Sequence, residues 1–395
     1  MIRYLALILV LISACKLIAA PPLFMVTNAM GVEEQGTISS WSLGAKPVFL
    51  PVMETKASPI DFLYFKLQSF DMPRIPVENL VWLENGDCLK FEKIRVVDDL
   101  VQLWCGNIRG ETSEQVTLPI LELRMVWWRS PRSELNPLQI RQQFLQKRIA
   151  KDQLVLANGE KIEGIFETLE QEKLNFEANE TKSTLKTEQL AFMVLGNEKP
   201  LVAKPMADTY RVTTTAGDRV TLSKLQLKDS MLVGEMSSGN RVRITIEKVA
   251  KMVNISSAAI SLSKHDSISL EKTRWLLGAK TVAVPRLSPG VEFFTGAGVV
   301  DDGLLLDGNC ALKIGRAGKY KALLMTFGAD SVPPSAVGAS LTFTSGGKAI
   351  HKPLEIDAVR SKTLLLKIAG LQEIFITQQT VPGGRVVISD AFLIP

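Results

Sequence analysis

Cysteine and histidine are scarce in this chain, and each scarcity removes a class of chemistry. Four cysteines occur among 395 residues, the first of them inside an N-terminal leader. The three that remain are an odd number, which argues against a disulfide framework. His265 and His351 are the two histidines, and no Cys-x-x-Cys or His-x-x-x-His spacing appears. Zinc is therefore not expected, and no metal or cofactor is assigned. His265 and Asp266 sit among serines in "SKHDSIS", but no Gly-x-Ser-x-Gly elbow accompanies them. "GAGVVDDG" places Asp301 where a dinucleotide fingerprint needs its third glycine, and the Asp301-Asp302 pair reads as a turn. A basic stripe is also lacking. The formal net charge is +5, with cations and acids interleaved as in "EKIRVVDD" and "LEQEKLNFE", so nucleic acid is excluded as a partner. Beyond the leader no apolar run approaches the roughly 20 residues of a spanning helix.

The leader itself, "MIRYLALILVLISACKLIAAPP", has one early cation and an apolar run from Tyr4 to Ile12, followed by small residues. That is the layout of an export signal over residues 1–20. Ile12-Ser13-Ala14-Cys15 resembles the bacterial lipobox, which implies lipid modification at Cys15 and attachment to a membrane surface through acyl chains. An ordinary signal with Cys15 discarded stands beside it. Either reading exports the protein to the periplasm, cell surface or exterior, and a lipid anchor is the one route to a membrane.

What is abundant is short, turn-punctuated β pattern. "NLVWLENGDCLKFEKIRVVDDLVQLWCG" from Asn79, "QLVLANGEKIEGIFETLEQEKLNFEA" from Gln153 and "YRVTTTAGDRVTLSKLQLKDSMLVGEM" from Tyr210 share one grammar. An alternating strand reaches Asn-Gly or Ala-Gly and an acid (Asp87, Glu160, Asp218), then continues through a second strand, a charged turn and a third strand. Asn85-Gly86 and Asn158-Gly159 predict two-residue type I′ turns. Each unit closes through a polar strand, a short apolar turn and a final apolar strand. A weaker copy begins at "LFMVTNAMGVEEQGTISSWS", with Met30-Gly31 at the turn. The spacings are too irregular for a solenoid. Small β-barrel-like or meander repeats are expected over 24–78, 79–135, 151–200 and 208–256.

A connector helix is expected over 136–150, with Asn136 capping, Pro137 in the first turn and Leu138, Phe144, Leu145 and Ile149 near one face. Arg141, Lys147 and Arg148 are assigned to its solvated side. Residues 257–274 read as a linker. If Asp98-Asp99 is a two-residue turn, Val97 faces Leu100 and Cys105 faces Glu92. Cys88 is then roughly 13 Å out of register at about 3.3 Å per residue, beyond disulfide reach. Buried thiols are expected. Among the tryptophans Trp82, Trp104, Trp127 and Trp128, alternation places Trp127 and Trp128 on opposite sides of a strand, with Trp128 the exposed one beside Arg124 and Arg129.

Over 275–395 the short apolar runs and Gly, Pro and Asp clusters fit an all-β sandwich. Gly318-Lys319-Tyr320-Lys321 with "ALLMTFGAD", then "SLTFTSGGKAI" and "ISDAFLI", resembles the NPCBM family of carbohydrate-binding modules. The resemblance implies a galactose-binding-like jelly roll. This chain departs from the family pattern in having no Gly-x-His before the Gly-Lys-Tyr turn, and Val386, Val387 and Ile388 where a tryptophan is common. Sugar recognition needs an aromatic face with polar groups beside it, which makes Tyr320, Lys319, Lys321, Trp275 and Phe293 the candidate binding residues. The bland reading is a turn entering a core strand, with Gly318 permitting the bend and the Tyr320 ring tucked beneath it.

The sequence thus predicts an all-β chain with one connector helix and a C-terminal sandwich. It points to a non-enzymatic exported bacterial envelope protein acting in binding, adhesion or assembly, with a polysaccharide or an envelope protein as partner. A carbohydrate-binding accessory protein and a hydrolase with carboxylates brought together from distant positions are the alternatives.

Overall fold

The computed structural model describes residues 21–68, 78–132, 137–146, 149–196, 208–255, 259–274, 278–282, 293–295, 298–300, 303–329, 339–357, 361–380 and 384–395. The chain is nearly all β, in open antiparallel sheets that do not close into barrels. In each of four repeats the first strand pairs on one side with the second and on the other with the last. This holds for Phe24–Asn28 with Glu33–Ser40 and Phe62–Leu67, and for Leu80–Leu83 with Cys88–Lys90 and Leu123–Trp127. It holds again for Asp152–Leu156 with Lys161–Glu170 and Leu190–Val194, and for Tyr210–Thr214 with Arg219–Lys228 and Val249–Asn254. The weakly marked first copy has the same topology as the other three. The closing turns of those three are 3-10 turns, Ile120–Glu122, Thr187–Gln189 and Ile246–Lys248, the middle one polar where an apolar turn is expected.

The Asn-Gly turns differ from expectation. Gly86, Gly159 and Gly217 have φ of 87°, 93° and 93°, whereas Asn85 and Asn158 are not left-handed. The Leu83 amide donates to the Asp87 carbonyl at 2.8 Å and the Gly86 amide to the Leu83 carbonyl at 3.0 Å, so the loop has three residues with glycine at the left-handed position. The reason lies in the asparagine side chains. Asn85 Oδ1 accepts the Asp87 amide and Asn158 Oδ1 the Glu160 amide, both at 2.9 Å, a local bond that competes with the type I′ shape. Two-residue turns with both φ positive occur instead at the charged positions Asp98-Asp99, Gln171-Glu172 and Asp229-Ser230. Val97 therefore faces Leu100, as the sequence requires. Cys88, Cys105 and Cys310 are buried thiols.

The repeats share one apolar core that runs from Phe24 to Met252. They are joined two by two through their last strands: Val126 lies opposite Met193 in the second and third repeats, and Met252 opposite Phe65 in the fourth and first. The second and fourth repeats meet where Arg219 lies opposite Cys88, and there the acids that follow the turn glycines cross over. Asp87 accepts the Thr221 amide at 2.9 Å and the Thr221 hydroxyl at 2.6 Å. Asp218 accepts the Lys90 amide at 2.7 Å, the Thr214 hydroxyl at 2.7 Å and Asn107 Nδ2 at 3.2 Å. Both carboxylates are fully or almost fully buried. Glu160, at the same place in the third repeat, is exposed.

Among the described residues the connector helix is Pro137–Gln146, with Asn136, Lys147 and Arg148 outside them, and it covers the outer face of the sheet. Arg141 is not solvated. It is buried, its guanidinium 5.5 Å from the Trp82 ring and 5.3 Å from the Trp127 ring, a stacked arrangement that offsets the cost of burying the cation. Trp127 also stacks on Phe192, with centroids 5.0 Å apart.

Residues 257–274, read above as a linker, include the strand Ile268–Arg274, which pairs with Gly278–Val282 and Cys310–Gly315. That strand belongs to the C-terminal β-sandwich, whose other sheet is built on Ala322–Ala329 and Arg385–Ile394. Leu63 and Tyr64 of the first repeat pack with Ala322, Leu324, Phe392 and Ile394 of the sandwich. Beside them Lys251 donates to both oxygens of Asp390 at 2.6 and 2.5 Å.

Asp218→Ala should remove roughly 3 kcal/mol, because it strands buried donors. Glu160→Ala, at the equivalent exposed place, should stay within about 0.5 kcal/mol. Urea midpoints of the two variants check the contrast. Glu122 supplies a pH test: burial first, then the nearby Asp87 charge, push its carboxyl up to about 7, and its Oε2 is buried without a hydrogen-bond partner. The unfolded chain releases this proton first, so stability falls as pH rises from the ordinary carboxylate range through about 7. Glu122→Gln should leave the Tm unchanged near pH 4 and raise it at pH 8; an equal shift at both values would refute the assignment.

Candidate functional site

Three of the expected binding residues come together in one turn. Arg316 adopts φ 56° and opens the 3-10 turn Ala317–Lys319, so the left-handed residue at the bend is Arg316 and not Gly318. The Tyr320 amide closes the turn on the Ala317 carbonyl at 3.0 Å, and the Lys321 amide enters the sheet by donating to the Ile394 carbonyl at 2.8 Å. Ala322–Ala329 then follows as a wholly buried strand. The Tyr320 ring is half-buried against the sandwich core and meets the imidazole of His265 edge-on, with centroids 5.8 Å apart. His265 is itself buried, its Nε2 3.0 Å from the Gly315 carbonyl oxygen. Lys319 and Lys321 are exposed on either side. Phe293 lies in the strand Phe293–Thr295, opposite Val300. Trp275 and Cys15 lie outside the described residues.

A second site, not assembled by sequence reasoning, is a cleft of about 930 Å³ between the second and third repeats. It arises from a break in one strand. The third and fourth repeats have a continuous ten-residue second strand, whereas the second repeat interrupts its strand at Phe91 and Glu92, between Cys88–Lys90 and Lys93–Val97. The Phe91 amide still follows the first strand, donating to the Asn79 carbonyl at 2.9 Å, while the Glu92 amide donates to the Trp104 carbonyl at 2.7 Å. Past the break, Lys93–Val97 pairs with Leu100–Trp104, with Lys93 opposite Trp104 and Arg95 opposite Gln102. Alternation puts these four side chains on one face.

The third repeat closes the other side. Val96 lies opposite Leu169, and Arg95 donates through Nε and Nη2 to Glu170 Oε1 at 2.8 and 2.5 Å. The Lys93 ammonium stands 5.0 Å from the centroid of the Trp104 ring, and that ring is half-buried. The cleft is lined by three cations, Lys93, Arg95 and Arg129, and three acids, Glu92, Glu170 and Glu172. Its walls therefore carry no net charge.

Trp128 also lines the cleft but is 5 % exposed, and Trp127 is fully buried. The expectation of an exposed Trp128 fails because their strand is covered on both faces, by the shared core on one and by the helix on the other. Arg124 is buried as well, 3.7 Å from Glu84. The signal that reaches the true aromatic surface was in the Val97–Leu100 register, which brings Trp104 beside Lys93. Among the described residues no cluster of His, Cys, Asp and Glu is arranged to hold a metal, and no helix is long and apolar enough to cross a membrane.

No family model matches the chain, and no curated protein does. Among the solved structures it is similar to are ones that contain carbohydrate-binding modules. One is CBM51 from the Clostridium perfringens GH95 protein in complex with methyl-galactose, at 13 % identity and a TM-score of 0.26, covering 34 % of this chain and 99 % of that one. A second is CBM51-2 with the INT domains of Clostridium perfringens ZmpB in complex with GlcNAc, at 13 % identity and a TM-score of 0.25, covering 41 % of this chain and 36 % of that one. The same ZmpB domains without GlcNAc match at 12 % identity and 0.25, covering 50 % of this chain and 45 % of that one. This chain thus spans less than half of either ZmpB structure. At these identities and TM-scores the likeness assigns neither a family nor a ligand to it.

The cleft has one wall that is core and one that is rim. Trp128→Ala should cost about 3–5 kcal/mol, while Arg95→Ala, which removes an ion pair whose partners are each 45 % exposed, should cost about 1 kcal/mol or less. Thermal melts of the two variants distinguish them.

Proposed function

We propose that this chain is a non-catalytic binding protein, exported by a bacterial cell, that engages a component of the cell envelope through the cleft between its second and third repeats. The observation that carries this reading is the cleft itself. Its volume of about 930 Å³ falls within the roughly 300–1,000 Å³ typical of ligand sites. Its half-buried indole is flanked by polar side chains drawn from both repeats. The Glu170 carboxylate is held by two donors from Arg95, which suits positioning better than proton transfer. Export is supported by the leader described above, and the lipobox resemblance makes Cys15 the point of lipid attachment.

The second reading places a carbohydrate on the C-terminal sandwich, at the turn that carries Tyr320. It is favoured by Lys319 and Lys321, exposed to either side of the half-buried phenol ring. The two readings separate in one assay. The full mature chain is mixed with isolated bacterial envelopes, which are then sedimented. The cleft reading expects Trp104→Ala to lower retention about tenfold, a loss of the size aromatic contacts produce, with Tyr320→Ala retained as the parent is. Loss on Tyr320→Ala alone would move the site to the sandwich. Release of soluble fragments from the envelopes during incubation would overturn the non-catalytic assignment.

A further inference from the structure

We infer that the ligand of the cleft is an uncharged oligosaccharide chain, with one sugar ring stacked on the Trp104 indole. The inference rests on the reading of the cleft as the binding site. Three features of the walls point to it.

The first is charge. Three cations and three carboxylates line the cleft, and Arg95 is already paired with Glu170. No field of one sign is left to draw in a polyanion such as a phosphorylated or sulfated polymer.

The second is hydrogen-bonding type. Gln102, Gln115 and Asn79 also line the cleft. Each carries an amide that donates and accepts in one plane, matching neighbouring hydroxyls that both donate and accept. The Arg95–Glu170 pair presents the same combination of donors and acceptor. An extended peptide would instead call for an unpaired strand edge. Here Lys93–Val97 is paired along its length with Leu100–Trp104, and its other side is bridged at Val96 to Leu169.

The third is spacing. Trp104 and Gln102 lie two residues apart on one strand and project from the same face, about 7 Å apart at the strand's rise. A ring lying on the indole places its neighbour along the chain over Gln102 and the Arg95–Glu170 pair. Lys93 reaches its position over Trp104 on an exposed four-carbon stem. Its ammonium is free to yield the ring face to a sugar and then donate to that sugar's hydroxyls.

The test uses the full mature chain in two arms. In titration calorimetry against neutral gluco-, galacto- and N-acetylglucosamine oligomers, at least one should bind. Its affinity should fall about tenfold in Trp104→Ala and be largely kept in Trp104→Phe, and should not change between about 50 and 500 mM salt. In the sedimentation assay, periodate treatment of the envelopes, which cleaves sugar diols, should abolish retention, and protease treatment should not. Retention that depends on Trp104 but survives periodate and is lost to protease would overturn the sugar inference while leaving the cleft as the binding site. Tight binding only of uronic or sulfated oligomers would also overturn it. Retention that ignores Trp104 altogether would remove the cleft reading itself. Matching Tm values for the parent and both Trp104 variants keep a loss of binding from being mistaken for unfolding.

Discussion

The architecture turns on two buried carboxylates exchanged between repeats. Asp87 reaches from the second repeat to the Thr221 amide of the fourth, and Asp218 from the fourth to the Lys90 amide of the second. Thr221 and Lys90 each lie three residues past the acid of their own turn, so the exchange is a near two-fold operation on equivalent atoms. A carboxylate in a dry interior costs several kcal/mol unless its oxygens are satisfied. Here each one accepts several donors, and some of these are backbone amides at a sheet junction. The geometry is thus self-enforcing, since displacing either repeat would leave an acid unpaired.

That junction explains why the repeats make one body. Last-strand pairing joins the second repeat to the third and the fourth to the first. Either pair alone would be a small sheet with an open edge, a poor basis for independent stability. The acid exchange ties the pairs together and buries a common core. The cleft is a by-product of the same plan. Because Asp218 holds the Lys90 amide just ahead of the interruption at Phe91, the following hairpin is free to change course, and it presents Lys93, Arg95, Gln102 and Trp104 toward the third repeat.

Much of this was legible in the sequence, and what was not has identifiable causes. Two-residue alternation and glycine spacing gave the β class, the three clear repeats and the Val97–Leu100 register, since those are local properties. The turn type at Asn85-Gly86 was missed because propensity favours type I′ there, while the asparagine side chain, bonded to the next amide but one, selects a longer loop. Glycines such as Gly164, whose added Cβ would lie 2.1 Å from the Glu177 carbonyl oxygen, mark a bend that no periodicity reveals. Arg141 and Trp128 were placed in solvent because helical periodicity and strand alternation each describe one element at a time. Their burial depends on a helix and a second repeat arriving from elsewhere in the chain. The cleft was invisible for the same reason, as its two walls are some 70 residues apart.

The sandwich is bound to this body by an interface with both apolar and ionic parts. Tyr64, beneath the Lys251 ammonium at 5.6 Å, packs with Phe392 and Ile394, and burial pushes its phenol well above the ordinary range. Asp390 meets Lys251 from a left-handed bulge, φ 46°, at a register shift between the strands that carry Leu324 and Ser389. A bulge costs backbone regularity and is kept where it aims a side chain. An ion pair with two hydrogen bonds beside an apolar contact resists the swivelling that a flexible linker would allow. The Tyr320 turn and the cleft are thus carried by parts of the chain that are packed and ion-paired against each other.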